Sequence, residues 1–191
     1  LREYIELAEK LGASYIRVLG DEQAMADGAV DDEVVLSPLK ELVPFAEEHG
    51  VTLLVETNGV YADTARLKGL LDRIASDNVA ALWDLHHPYR FQGEQPEETI
   101  RNLGAYVKYV HVKDSVMQDG KLTYRLMGEG DIPVDSPEEA LSERISLNEV
   151  LARLAPADRL LIRLRFFAGK TQSETAKVLK TTQVQISRRE R

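Results

Sequence analysis

Four short, nearly all-apolar runs, at 14–19, 51–55, 79–83 and 107–112, alternate with helical patterns through the first 135 residues. Strands that are apolar on both faces belong to a parallel sheet covered on both sides, which leaves few architectures open. The first helix is predicted over 1–11, where Leu1, Ile5, Leu7, Ala8 and Leu11 recur at close to helical spacing and Gly12 provides the stop. Further helices are predicted over 38–49, opened by Pro38 and ended by Gly50, over 62–76 and over 96–105. A doubly wound open sheet and a (β/α)₈ barrel both satisfy this alternation. No Gly-x-Gly-x-x-Gly follows a strand, which counts against a dinucleotide-binding sheet.

Three of the runs lead directly into a potential metal ligand. Leu-Leu-Val ends on Glu56, Ala-Leu-Trp on Asp84 and Tyr-Val on His111, one βα unit apart. In a parallel barrel such positions converge on the C-terminal mouth, where this architecture builds its active sites. Two carboxylates and an imidazole suit a divalent ion, Mn²⁺, Mg²⁺, Co²⁺ or Zn²⁺. The sequence has no cysteine, so thiolate sites and disulfides are excluded.

The segments Val-Glu-Thr-Asn (55–58), Trp-Asp-Leu-His-His-Pro (83–88), Val-His-Val-Lys-Asp (110–114) and Gly-Glu-Gly-Asp-Ile-Pro (128–133) resemble the xylose isomerase-like barrel superfamily of sugar phosphate isomerases and epimerases. The resemblance covers residues 1–134. It implies an α/β fold, a partial or half TIM barrel of about four parallel βα units, corresponding to strands four to seven of eight. It implies that Glu56, Asp84 and His111 bind the metal, that Glu56 also serves as catalytic base, and that His87 contacts a substrate oxygen. His86 is read as a neighbour, whereas Asn58 and Asp114 are placed beside the ligands and substrate. The implied substrate is a small sugar or sugar phosphate, altered by moving a proton next to its carbonyl. The family's last strand ends in a glutamate that is both fourth ligand and second base, and no such strand follows residue 134.

Charge separates the remainder from this acidic part. Residues 136–191 hold eleven Lys+Arg against seven Asp+Glu, net +4, and the first 135 carry net −12. Opposite balances point to different partners. The pattern here is purely helical. A helix is predicted over 146–154. Another starts at Pro156, with Leu160, Leu161, Leu164 and Phe167 as its apolar stripe, and stops at Gly169. Thr171 caps a third, with Ala176 and Val178 facing inward, and a 180–182 turn leads to a last helix at 183–191. Two short helices across a tight turn make a helix-turn-helix. Residues 164–176, Leu-Arg-Phe-Phe-Ala-Gly-Lys-Thr-Gln-Ser-Glu-Thr-Ala, with Gln-Val-Gln-Ile-Ser-Arg at 183–188, resemble region 4 of bacterial sigma factors of the sporulation and stress type.

That second resemblance implies −35 promoter DNA and the RNA polymerase flap as partners. Gln183, Gln185, Ser187 and Arg188 would face bases or phosphates, and Lys170, Thr171 and Arg189 the backbone. Lys180 stands where the family has glycine. Sigma regions 2 and 3 have no counterpart, so promoter opening by this chain alone is not expected. The chain therefore reads as a chimera of two fragments, 1–134 and 135–191, with little intact catalysis, the alternatives being an active metal-dependent sugar isomerase or epimerase and a −35 promoter DNA-binding transcription factor module. Its start at Leu1, inside a helical pattern, reads as a cut edge. The absence of a signal peptide or membrane span gives a cytoplasmic expectation. The two raw sheet edges of a half-barrel give the expectation of a homo-oligomer, with the 146–154 helix covering a seam.

Overall fold

The computed structural model describes residues 1–22, 30–134 and 154–190. Residues 146–153 of the helix expected there, and the Phe167 side chain of the expected stripe, lie outside the described residues.

Strands β1 (Tyr15–Val18), β2 (Thr52–Glu56), β3 (Val79–Asp84) and β4 (Val107–His111) form one parallel sheet in chain order. Side chains alternate across it. Ile16, Val18, Leu53, Val55, Val79 and Ala81 point into the main core, where Leu39, Leu67, Leu70, Leu71 and other helix residues meet them. Leu54, Ala80 and Leu82 form a separate buried cluster. By the same alternation, Arg17, Glu56, Asp84 and His111 belong to the face of that second cluster. The register pairs Glu56 with Leu82 and Asp84 with His111, so the three ligand candidates stand at the same end of adjacent strands. Four parallel strands are found, and no closed barrel forms among the described residues.

The helices between them are α1 (Arg2–Leu11), α2 (Asp32–Glu48), α3 (Thr64–Ile74) and α4 (Pro96–Leu103). Gly12 ends α1 in the left-handed conformation, φ 68°, as its position required. The start of α2 differs from expectation: Pro38 lies inside it. Asp31 caps the helix by accepting from the Glu33 amide, and Asp32 and Glu33 occupy the first turn. An internal proline costs about 3 kcal/mol. Burial of Leu36, Leu39, Leu42 and Ala46 on both sides of Pro38 and Pro44 offsets that cost.

An antiparallel hairpin, β5 (Asp114–Gln118) with β6 (Lys121–Arg125), follows β4 and was not expected. Its turn residues Asp119 and Gly120 both have positive φ, 51° and 72°, as a two-residue type I′ turn demands.

The C-terminal unit comprises α5 (Pro156–Ile162) running into a π-helical turn at Arg163–Phe167, α6 (Gln172–Val178) and α7 (Gln183–Arg189). Its small core is Leu161, Ala176 and Ile186. Ala176 faces inward as expected, but Val178 is 41% exposed. In a helix of two turns only the stripe through Thr175 and Ala176 reaches the core. The unit touches the sheet domain at Asp77, which receives Arg163 at 2.5 Å and Arg159 at 3.6 Å. Among the described residues no helix is long and apolar enough to cross a membrane.

Candidate metal centre and recognition helix

Glu56 is fully buried at the end of β2. Its Oε1 lies 3.0 Å from His111 Nδ1, and its Oε2 accepts the Arg17 Nε–H at 2.7 Å together with the Arg17 Nη2. A buried carboxylate needs such partners, because an uncompensated charge there is very costly. Asp84, equally buried, closes β3. Its Oδ1 accepts the His86 amide at 3.1 Å. Its Oδ2 pairs with the Lys113 ammonium at 2.6 Å, an ion pair without hydrogen-bond alignment. Potential ligand atoms of Glu56, Asp84 and His111 all lie within 4.8 Å of one another, so the structure brings the three together. That separation and the two-carboxylate, one-imidazole donor set fit one divalent ion, whose ligands sit about 2–2.6 Å from it.

Thr57 ties β2 to β3: its hydroxyl donates to the Asp84 carbonyl at 3.1 Å and accepts the Asp84 amide at 2.9 Å. His87 is buried beside this pair. Its Nδ1 is 3.0 Å from the Thr57 carbonyl, which can only accept, so the proton sits on Nδ1. Nε2 is left as a lone pair, 3.1 Å from Lys113 Nζ and 3.8 Å from Asp84 Oδ2. Burial pushes the His87 pKa below its usual value, against the opposing charge of Asp84. The structure thus places His87 at the centre's edge, with Nε2 accepting from Lys113.

Asn58 and Asp114 are placed differently. The Asn58 side-chain amide donates to the Asp21 carbonyl at 2.8 Å, holding a loop beside the sheet. Asp114 accepts backbone amides from Ser115, Gly128, Gly130 and Ile132 at 2.8–3.3 Å. Burial raises its pKa, but the four donors outweigh burial and leave it below the ordinary carboxylate range. A Cβ on Gly130 would meet Asp114 Oδ1 at 1.9 Å, which explains the glycine. This carboxylate anchors the 128–132 segment.

Sequence reasoning passed over Arg17 and Lys113. Each is a cation paired with a ligand carboxylate, Arg17 with Glu56 and Lys113 with Asp84. A single charge in the otherwise apolar Tyr-Ile-Arg-Val, on the parity of the ligand face, was the available signal for Arg17. Lys113 shares the parity of His111.

In the C-terminal unit, Thr171 caps α6 within a capping box. Its hydroxyl accepts the Glu174 amide and donates to Glu174 Oε2 at 2.7 Å. Lys170 is half-buried beside it, and its carbonyl accepts from Arg165. Along α7, Gln183, Gln185 and Arg188 are exposed, Ser187 is half-buried and Ile186 anchors the helix from below. Arg189 turns back to Asp158 at 2.9 Å through its Nε. Gln183, Gln185 and Arg188 are thus exposed, Gln183 donating to Gln172 at 3.3 Å and Gln185 accepting from Thr181, while Thr171 and Arg189 bond Glu174 and Asp158.

Residues 150–191 match the family model described as sigma-70, region 4. Over 57 residues the chain is 39% identical to the RNA polymerase sigma-F factor of Bacillus subtilis, spanning 30% of this chain and 22% of that protein. Two solved structures share the fold of the first part. One is the IolI protein with a bound zinc atom, TM-score 0.60 and 20% identity over 75% of this chain and 54% of that one. The other is a D-allulose 3-epimerase from Methylomonas sp. in complex with D-allulose, TM-score 0.61 and 15% identity over 75% and 50%. The chain thus spans about half the length of these barrels and about a fifth of the sigma factor. Residues 1–146, more than three quarters of the sequence, match the model of the xylose isomerase-like TIM barrel. The chain belongs to the xylose isomerase-like TIM barrel family and carries a sigma-70 region 4 unit behind that domain.

Proposed function

We propose that residues 1–134 hold one divalent ion on Glu56, Asp84 and His111, in a half-barrel of the sugar isomerase and epimerase type. The reading rests on one observation, the meeting of three ligand groups from three strand ends within 4.8 Å. The zinc of the IolI protein and the sugar of the Methylomonas epimerase support this class of ligand. When bound, the ion would polarise the oxygens of a small sugar or sugar phosphate. Glu56 would take the proton next to the carbonyl, Arg17 holding its Oε2 so that Oε1 faces His111. His87 Nε2 would accept from a substrate hydroxyl.

Epimerisation moves a proton off one face and onto the other, which needs a second base. Of the two carboxylates at the described strand ends, Asp84 is committed to the ion and to Lys113, which leaves Glu56 as base, so we place turnover of a ketose at or below detection. Robust epimerisation by the purified chain, abolished by Glu56→Gln, would overturn that.

A second reading concerns residues 135–191, for which the exposed Gln183, Gln185 and Arg188 support promoter DNA of the −35 type as partner, with RNA polymerase. Arg188→Ala should weaken binding by roughly 1–3 kcal/mol, confined to one base position if it reads a base. Absence of any binding at low salt would remove this reading.

A further inference from the structure

Two groups of potential ligands share Asp84. Besides Glu56, Asp84 and His111, the buried set Asp84, His86 and His87 also offers one ligand atom each within 4.8 Å of the others. A carboxylate with two imidazoles is a donor set that Zn²⁺ and Co²⁺ accept. The bonding of its members leaves ligand positions open. His86 gives Nε2 to Ser115 Oγ at 2.9 Å, and its Nδ1 is buried with no hydrogen-bond partner. His87 commits Nδ1 to the Thr57 carbonyl and keeps the Nε2 lone pair. Asp84 Oδ2 has no aligned hydrogen bond.

One cation does stand there. Lys113 Nζ lies 2.6 Å from Asp84 Oδ2 and 3.1 Å from His87 Nε2, close to two of the three donors at once. It stands two residues beyond His111, the last residue of β4, and its side chain is about two-thirds covered. An ammonium is a compact point charge with three donors, and it supplies the compensation that a buried carboxylate requires. Arg17 does the same for Glu56 Oε2 on the other side, but it leaves Oε1 and His111 to face each other.

We propose that Lys113 is a built-in cation that fills the Asp84–His86–His87 group and restricts the centre to a single divalent ion. The inference rests on the reading of Glu56, Asp84 and His111 as the ion site. Without the ammonium, Asp84, His86 and His87 would hold a second ion beside the one on Glu56, Asp84 and His111. Lys113 then sets how many ions the domain carries, a property separate from whether it binds any.

Equilibrium dialysis of the full chain against Co²⁺, with the visible absorption of the bound ion as a second readout, tests this. One ion per chain is expected for the unaltered protein and for Lys113→Arg, and two for Lys113→Leu and Lys113→Ala. Adding His86→Asn to Lys113→Leu should return the count to one. Two ions in the unaltered chain would overturn the proposal. So would a single ion of unchanged affinity in both Leu and Ala variants, or a second ion indifferent to His86→Asn. An unaltered chain that binds no ion, beside a Lys113→Leu variant that binds one through His86, would refute the Glu56 reading and uphold the role of Lys113. No ion in any variant would refute both.

Discussion

His86 shows what burial does to a single group at this site. Desolvation, reinforced by the neighbouring His87, pushes its pKa down to about 4 from 6.5, against the pull of Asp84. Between those values the unfolded chain holds a proton that the folded one refuses, so stability is full above about pH 6.5 and falls as the pH drops towards 4. His87 shifts the same way and adds to the slope. Each pH unit is worth at most about 1.4 kcal/mol for one such group. Thermal melts in chelator should therefore fall between pH 7 and pH 5, and His86→Asn should flatten that fall. A melting temperature independent of pH over this range would show that the imidazoles are solvated. Glu56, Asp84 and His111 were legible because each closes a strand, and strand spacing is a strong signal. Their partners were not, because Arg17 lies 39 residues from Glu56 and only the fold brings them within 2.7 Å.

At the scale of elements, Lys180 is the clearest case of a local rule broken. It sits in the turn between α6 and α7 at φ 51°, the left-handed region where the sigma family has glycine. A side chain there costs roughly 1–2 kcal/mol. Lys180→Gly should raise the stability of the C-terminal unit by about 1 kcal/mol, part of the gain being returned as greater freedom of the unfolded chain. Chemical denaturation followed on that unit would read it, and a loss of stability would mean the lysine makes a contact that outweighs the strain. Sequence periodicity found all four parallel strands, since nearly all-apolar runs of five or six residues alternating with helical patterns leave little choice. It missed the β5–β6 hairpin, whose Asp119-Gly120 turn was visible but whose strands are half exposed and mixed in polarity. It also began α2 at Pro38, favouring a proline signal over the Asp31 cap.

On the scale of the whole molecule, the helical unit packs near the N-terminal end of β3, through Arg159 and Arg163 on Asp77. The ligands stand at the C-terminal end of the same strand. In the middle of the ligand face Leu54, Ala80 and Leu82 are buried, whereas Tyr15 and Tyr109, on the two edge strands, are 43% and 52% exposed. Edges with unpaired backbone groups and uncovered apolar side chains favour pairing. We propose that two chains associate along these edges. Sedimentation at micromolar concentration should give a dimer or larger species, and a monomer with a cooperative melt would contradict it.

The central claim, that the strand ends of β2, β3 and β4 form an ion site, is tested most directly by measuring Mn²⁺ bound to the full chain at equilibrium. One ion per chain, weakened at least tenfold by Glu56→Gln and by His111→Ala yet retained in Asn58→Ala, is the expected result. Binding that is absent at millimolar Mn²⁺, or unchanged by both substitutions, would contradict the account.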